Sequence, residues 1–247
     1  SKYQFAGLET DMTADHHKVR KIVEGINPND IMPRVKNAEE DYWVMKGALP
    51  PTSKHLVQDI DNSEVDLDRR MYKYHASRYF ENMNKFAQTL SAIRGHKNII
   101  YFSSGVAGSI LYESPSPAFV DSSDDMECLQ LRKDYEKLSD ILGSSDSSFF
   151  VIDTGEYGRV LPQIKYIRGA QSLEHLGKET GGAYFDDLKN YRKIMDIIQN
   201  IMNSYYVLGY YIDEARDGKY HEITVKVNKE GLNVSAPKGY FDPKRSS

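Results

Sequence analysis

The spacing of apolar residues divides the chain into helical and extended segments. Apolar positions that recur every three to five residues predict amphipathic helices, here over residues 16–25, 56–60, 68–94, 131–142, 172–180 and 188–201. Short apolar runs predict strands, here at residues 3–8, 31–35, 42–49, 96–103, 148–152 and 183–185. Helices that alternate with short buried strands predict an α/β fold, with a mostly parallel sheet and helices on both of its faces.

Several of these elements carry signals at their ends. Thr13 or Asp15 can cap the first helix, and Gly181-Gly182 supplies the glycine that a left-handed helix end needs. Gly95 ends the long helix and precedes residues 96–103, the clearest buried strand of the pattern. The apolar stripe of the long helix is expected to face the core. It consists of Met71, Tyr74, Tyr79, Met83, Phe86, Leu90 and Ile93.

Near the C-terminus the hydrophobic period changes to two. The alternating segments are residues 205–212, 219–227 and 232–236. Asp-Gly at 217–218 and Glu-Gly at 230–231 supply turn signals between them. Residues 204–247 therefore predict an antiparallel β meander, packed on an α/β domain of residues 1–203. Earlier in the chain, residues 103–125 are rich in Ser, Pro, Gly and Asp and predict a long surface loop.

The amino-acid composition argues against some classes of binding partner. The 247 residues carry a formal net charge of −4 and have a pI of about 6.0, so no basic field favours nucleic acid or anionic lipid. No apolar run approaches the roughly 20 residues that a membrane-spanning helix needs, so membrane insertion is not expected. Cys128 is the only cysteine, which excludes an internal disulfide and a cysteine-based zinc site. The residues from Ser1 onward show no signal segment of charged and then apolar residues.

Several short blocks of sequence follow one another in a recognisable order. They are His-Lys-Asn-Ile-Ile-Tyr-Phe-Ser-Ser-Gly at 96–105, Ser-Phe-Phe-Val-Ile-Asp at 148–153, Thr-Gly-Gly at 180–182, a tyrosine-rich run at 205–211, Asp-Gly-Lys-Tyr-His-Glu-Ile at 217–223 and Pro-Lys-Gly-Tyr at 237–240. In content and order these blocks resemble the bacterial von Willebrand factor A-like domains, of the type first named from acidobacteria. The resemblance covers the chain from residue 96 onward, and the N-terminal third matches only in outline.

The resemblance implies a Rossmann-like, doubly wound sheet and a function in binding rather than catalysis. Such domains bind their ligand, here expected to be another protein, where loops converge at the carboxyl ends of the strands. In A-domains an Asp-x-Ser-x-Ser motif after the first strand often holds a divalent cation such as Mg²⁺ at this edge, and residues of later loops complete the site. The resemblance also implies an extracellular or periplasmic protein.

This chain departs from the metal-binding motif of the family. Glu9, Asp11 and Thr13 occupy the three motif positions, and the turn after the central strand offers Ser103 and Ser104 without a carboxylate. A degenerate, metal-free loop surface is therefore expected, and weak Mg²⁺ binding through these five residues is the alternative. The other residues predicted to contact a ligand at this edge are Asp15, Gly105, Asp153 and Thr154.

Two other functions fit parts of the sequence. The tyrosine-rich residues 205–240 predict an interface within a larger exported assembly, formed by strand addition at an exposed edge. Glu9-x-Asp11-x-Thr13 also resembles the Asp-x-Asp-x-Thr loop of haloacid dehalogenase-like phosphatases, which implies a metal-dependent phosphatase. The additional methylene of a glutamate misplaces the attacking oxygen, and phosphoryl transfer tolerates little misplacement. The second acidic pair of such an enzyme would be Asp124-Asp125 or Asp186-Asp187.

Overall fold

The structure is a computed structural model, and it describes part of the chain. The described residues are 15–25, 38–50, 62–112, 125–154, 167–186, 190–204, 206, 208–209, 219–229, 231 and 234–241. The chain divides into two compact units, Ser1–Asn82 and Met83–Ser247. The second unit contains the sheet together with the C-terminal residues, and the division predicted after residue 203 stays a prediction.

The first unit contains helix α1, His16–Gly25, and helix α2, Ala38–Met45. The first turn of α1 is capped by Asp15, whose Oδ1 accepts hydrogen bonds from the backbone N–H groups of His17 at 2.9 Å and Lys18 at 3.1 Å. This cap satisfies donors that a helix start leaves without intrahelical partners. The predicted helix is confirmed, with Asp15 as its cap. The strands predicted at 3–8 and 31–35 and the helix predicted at 56–60 lie outside the described residues.

The strand predicted at residues 42–49 is wrong, because α2 occupies the first part of this segment. Glu39 lies in the first turn of α2, and its Oε2 accepts a hydrogen bond from Trp43 Nε1 at 3.0 Å, one helical turn away. Its Oε1 lies 2.8 Å from Nε of Arg69, whose guanidinium stacks 3.7 Å from the ring centroid of Tyr42. These contacts favour the helix over the β propensity of the aromatic residues.

The long helix α3, Asn62–Ala92, buries a different stripe from the one predicted. The buried positions follow a spacing of three and four residues and include two charged side chains. They are Val65, Arg69, Lys73, Ala76, Phe80, Met83, Ala87 and Leu90. Met83 and Leu90 of the predicted stripe are therefore correct, whereas Met71, Tyr74, Phe86 and Ile93 are exposed. Hydrophobicity alone misses a face that buries Arg69 and Lys73.

The second unit contains a parallel sheet of three strands in the order β1-β2-β3. The strands are β1 at Lys97–Ser103, β2 at Ser147–Asp153 and β3 at Ala183–Phe185. All of β2 is buried, since it pairs with a strand on each side. β1 was predicted to be the clearest buried strand. It is only partly buried, since Ile100 and Phe102 are exposed. The three strands themselves are confirmed.

Helices flank this sheet. They are α4 at Gly108–Leu111, α5 at Asp125–Gly143, α6 at Ala170–Glu179 and α7 at Tyr191–Met202. The predicted core positions of α5, Leu131, Tyr135, Leu138 and Leu142, are all buried. Ile194 and Ile198 of α7 pack against Phe150 and Ile152 of β2, but Ile201, the last residue of the helix predicted at 188–201, is exposed. Gly181 follows α6 with a φ of 69°, which confirms the left-handed helix end.

The C-terminal residues form a small antiparallel sheet of β4, Tyr220–Glu222, and β5, Gly239–Phe241. The antiparallel pairing agrees with the predicted meander, but the strand at 219–227 is shorter than predicted. Residues 234–236 are not a strand, and β5 lies beyond them. The chain is thus a mixed α/β protein with a parallel and an antiparallel sheet. In the described part of the chain, no helix has the length and hydropathy to cross a membrane.

Candidate functional site

The carboxyl ends of β1 and β2 bring together most of the described residues predicted to bind a ligand. Ser103 ends β1 directly beside Asp153, which ends β2. The backbone N–H of Thr154 donates a hydrogen bond to the carbonyl of Ser103 at 2.9 Å. Ser104 and Gly105 follow in the turn after β1. We call these five residues, 103–105 and 153–154, the ligand edge; parallel sheets commonly bind ligands at this end of their strands.

The turn after β1 is held by a close contact with the start of α6. Gly105 has a φ of 72°, and its N–H donates to Ser103 Oγ at 3.1 Å. An ideal Cβ on Gly105 would lie 2.4 Å from the carbonyl oxygen of Gly169, the residue before α6. Ser172 Oγ accepts from the N–H of Val106 at 3.0 Å and donates to the Gly169 carbonyl at 2.7 Å. The turn is therefore fixed by hydrogen bonds and by direct backbone contact.

The long surface loop predicted at 103–125 is wrong over its first part. Residues 106–111 are buried and include α4. Arg132 of α5 donates from Nε to the carbonyl of Ile110 at 3.2 Å and from Nη2 to that of Tyr112 at 3.0 Å. These bonds satisfy carbonyls at the end of α4, and the small residues Ala107, Gly108 and Ser109 allow the segment to pack closely. Residues 113–124 lie outside the described residues.

The side chain of Asp153 is the buried member of the ligand edge. The residue is only 1% exposed, and its Oδ2 accepts a hydrogen bond from the hydroxyl of Tyr184 on β3 at 2.8 Å. Ser104 and Thr154, by contrast, are exposed. Asp153 therefore supports the edge from within, and Ser104 and Thr154 are the side chains available to a partner. Sequence reasoning missed Tyr184, although its place one strand from Asp153 is a consequence of the parallel register.

Of the five residues predicted to bind a cation, the structure describes Ser103 and Ser104. Ser103 Oγ accepts the Gly105 N–H, and the Asp153 carboxylate is buried. In the residues that the structure describes, no group of three or more His, Cys, Asp or Glu side chains is arranged to hold a metal. Glu9, Asp11 and Thr13 lie outside those residues, so the predicted metal site stays a prediction. Asp15 caps α1 in the first unit.

A second cluster of polar side chains, not predicted from the sequence, lies at the end of α6. Glu179 Oε1 accepts a salt bridge from Lys238 Nζ at 2.7 Å and lies 3.8 Å from His175 Nδ1. The rings of Tyr135 and His175 have centroids 5.6 Å apart. Burial raises the pKa of Tyr135 well above 10 and lowers the pKa of His175. The spacing of His175 and Glu179 on one helix face was the only sequence signal of this cluster.

The acidic pairs considered for a phosphatase are only partly described. Asp186 is exposed just after β3, and Asp125 is the first residue of α5. Asp124 and Asp187 lie outside the described residues, as does the loop that begins at Glu9. No described contact therefore joins these groups into one site.

No protein-family model, curated protein or solved structure matches this chain. The resemblance to von Willebrand factor A-like domains accordingly rests on the sequence blocks alone and stays a prediction.

Proposed function

We propose that this chain is a non-enzymatic, von Willebrand A-like module that binds another protein through its ligand edge. The observation that supports this most is the adjacency of Ser103 and Asp153 at the ends of two parallel strands, with the Thr154 N–H bonded to the Ser103 carbonyl. Residues predicted from two separate stretches of the sequence thus lie at one edge. In such a module Ser104 and Thr154 contact the partner. By the same resemblance we propose an extracellular or periplasmic location and a Rossmann-like extension of the described sheet.

The rigidity of the edge also suits binding. The Gly105–Gly169 contact and the Ser172 hydrogen bonds fix the turn before any partner arrives. A preorganised loop loses little conformational entropy on association, and this favours affinity. The hydroxyl of Ser103 accepts the Gly105 N–H and so helps to hold this turn.

A crosslinking experiment tests the proposal. A photoreactive residue at Ser104 or Thr154 is expected to crosslink a partner from an extract of the source organism. The same group at Thr89, an exposed position on α3, serves as the matched control and should not capture that partner. In a pull-down without the photoreactive group, Ser104→Arg with Thr154→Arg is expected to lose the captured partner and to leave the folded signal unchanged. A partner that stays bound to this double variant would overturn the proposed edge.

Thermal-shift titration with Mg²⁺, Mn²⁺ and Ca²⁺ distinguishes a metal-free ligand edge from one that binds a cation. The metal-free form is expected to show no change in melting temperature, because Ser103 Oγ already accepts a hydrogen bond and the Asp153 carboxylate is buried. A rise that disappears in Asp11→Ala would instead establish a cation site that uses the loop at Glu9, Asp11 and Thr13.

A role in an exported assembly is the second candidate. Tyr206 is 93% exposed and Leu208 is 72% exposed in the tyrosine-rich segment, and large exposed apolar side chains often mark an interface. Tyr206→Ser with Leu208→Ser is then expected to reduce self-association in sedimentation velocity. Unchanged sedimentation of this double variant would argue against the assembly.

A further inference from the structure

The C-terminal hairpin, residues 219–241 as far as they are described, is attached to the end of α6 by a small set of polar contacts. The side chain of Lys238 binds Glu179 Oε1 at 2.7 Å, and its backbone N–H donates to the Glu179 carbonyl at 3.3 Å. Pro237 forms an isolated bridge with Thr180, and Ser235 Oγ donates to the Gly181 carbonyl at 3.0 Å. β5 also packs against α5. Glu179 is thus the charged anchor of the hairpin.

His175 shares this anchor. Its Nδ1 lies 3.8 Å from the same Oε1 atom that binds Lys238 Nζ. The imidazole is also packed beside the ring of Tyr135 on α5. Charged groups from every neighbouring element act on it: Glu179 and Lys178 from α6, Glu136 from α5 and Lys238 from the hairpin. A single carboxylate oxygen therefore faces one permanent cation and one side chain that becomes a cation in acid.

We propose that His175 makes the attachment of the hairpin acid-sensitive. Protonation of its ring places a second cation beside Lys238 at the same Glu179 oxygen. The two cations compete for this oxygen, and the hairpin separates from α6. Once Lys238 has withdrawn, the Glu179 carboxylate is free to pair with the protonated imidazole. The detached state is therefore the one that accommodates the proton. Separation also uncovers the Gly181 carbonyl that Ser235 binds in the attached state.

The direction of the effect follows from the surroundings of the ring. Burial is the largest influence and lowers the pKa of His175 from 6.5; Lys238 and Lys178 lower it further, and Glu179 and Glu136 raise it. Withdrawal of Lys238 moves this pKa back toward 6.5. The attached state thus binds fewer protons than the detached state. Attachment is fully stable above about pH 6.5 and weakens as the pH falls through the lower pKa of the attached state.

Hydrogen exchange of the whole chain at about pH 7.5 and about pH 5.5 tests this, with rates corrected for intrinsic exchange. In acid, protection of residues 219–241 is expected to fall roughly threefold or more relative to that of β2. His175→Gln removes the titrating group and is expected to make hairpin protection independent of pH. His96→Gln is the matched control and should retain the dependence, since the ring of His96 pairs with Asp146.

Hairpin protection that does not change with pH in the unaltered protein overturns the proposal, as does equal pH dependence in His175→Gln. An NMR titration of the unaltered protein gives a test that needs no variant to fold. The ring signals of His175 and the amide signals of the hairpin are expected to share one midpoint, below that of a free histidine. Separate midpoints would show that another group controls the hairpin.

Discussion

The turn at Gly105 gives the sharpest test of how the ligand edge is built. Gly105→Ala adds one methyl group to a residue with a φ of 72°. That methyl carbon would lie 2.4 Å from the Gly169 carbonyl oxygen, 2.8 Å from Ser172 Oγ and 2.9 Å from Leu173 Cγ. The nearest of these atoms belongs to the backbone and cannot rotate away. The substitution therefore forces α6 away from the turn or forces the turn out of its conformation.

The size of the effect has two parts. A left-handed backbone costs a residue with a Cβ about 1–2 kcal/mol, and overpacking of a closed site typically costs about 1–3 kcal/mol more. Gly105→Ala is thus expected to lower the free energy of unfolding by about 2–5 kcal/mol. Gly95→Ala isolates the first part, because Gly95 has a φ of 87° and no atom within 4 Å of its ideal Cβ. This control is expected to cost only about 1–2 kcal/mol.

Denaturant unfolding followed by circular dichroism measures both variants, and hydrogen exchange of β1 and α6 locates the loss. Both alanines restrict the unfolded chain to a similar degree, so this contribution cancels between them. Equal destabilisation by Gly105→Ala and Gly95→Ala would refute the close contact with Gly169.

Three buried polar groups are tested by substitution, two of them with a matched control. Arg69→Met leaves the 4%-exposed Glu39 side chain without its ion pair and is expected to cost about 3 kcal/mol in denaturant unfolding. Arg78→Met breaks an exposed i,i+3 pair and should cost less than about 1 kcal/mol; equal losses would contradict the burial argument. Thr180→Val removes the Oγ1 acceptor of a β2 backbone N–H and is expected to cost about 1–3 kcal/mol in thermal unfolding, whereas Thr180→Ser should be close to neutral. Ser139→Ala should stabilise the protein by about 1 kcal/mol, because Ser139 Oγ is buried without a hydrogen bond in the described part of the chain; a lower melting temperature would contradict it.

The sequence predicted elements best where apolar side chains alone decide burial. α5 illustrates this, since Leu131, Tyr135, Leu138 and Leu142 recur at helical spacing and are all buried. The all-buried β2 and the glycine end of α6 were predictable for similar reasons: a continuous apolar run and a left-handed residue have few alternative placements. These signals are local, and tertiary contacts did not override them.

The predictions fail where a residue distant in the sequence determines which side chains are buried or which element forms. The buried face of α3 includes Arg69, whose charge is paired with Glu39 and stacks on the ring of Tyr42. The same contact stabilises α2 in a segment with strand-like composition. At the ligand edge, the positions of the strand ends predicted that Ser103 and Asp153 are neighbours. They did not predict that Asp153 is buried and accepts a hydrogen bond from Tyr184. Such partners come from other parts of the chain, and spacing does not reveal them.

The backbone contact between residues 105 and 169 also limits which substitutions this sequence can accept. Most packed pairs can exchange bulk, because one side chain can shrink when its neighbour grows. Gly105 and Gly169 cannot, since the atoms that meet are main-chain atoms and no smaller amino acid exists. A library that randomises both positions should therefore recover glycine at each independently, without compensating pairs. Residues around the turn and the start of α6 can be substituted, but the glycines at positions 105 and 169 cannot.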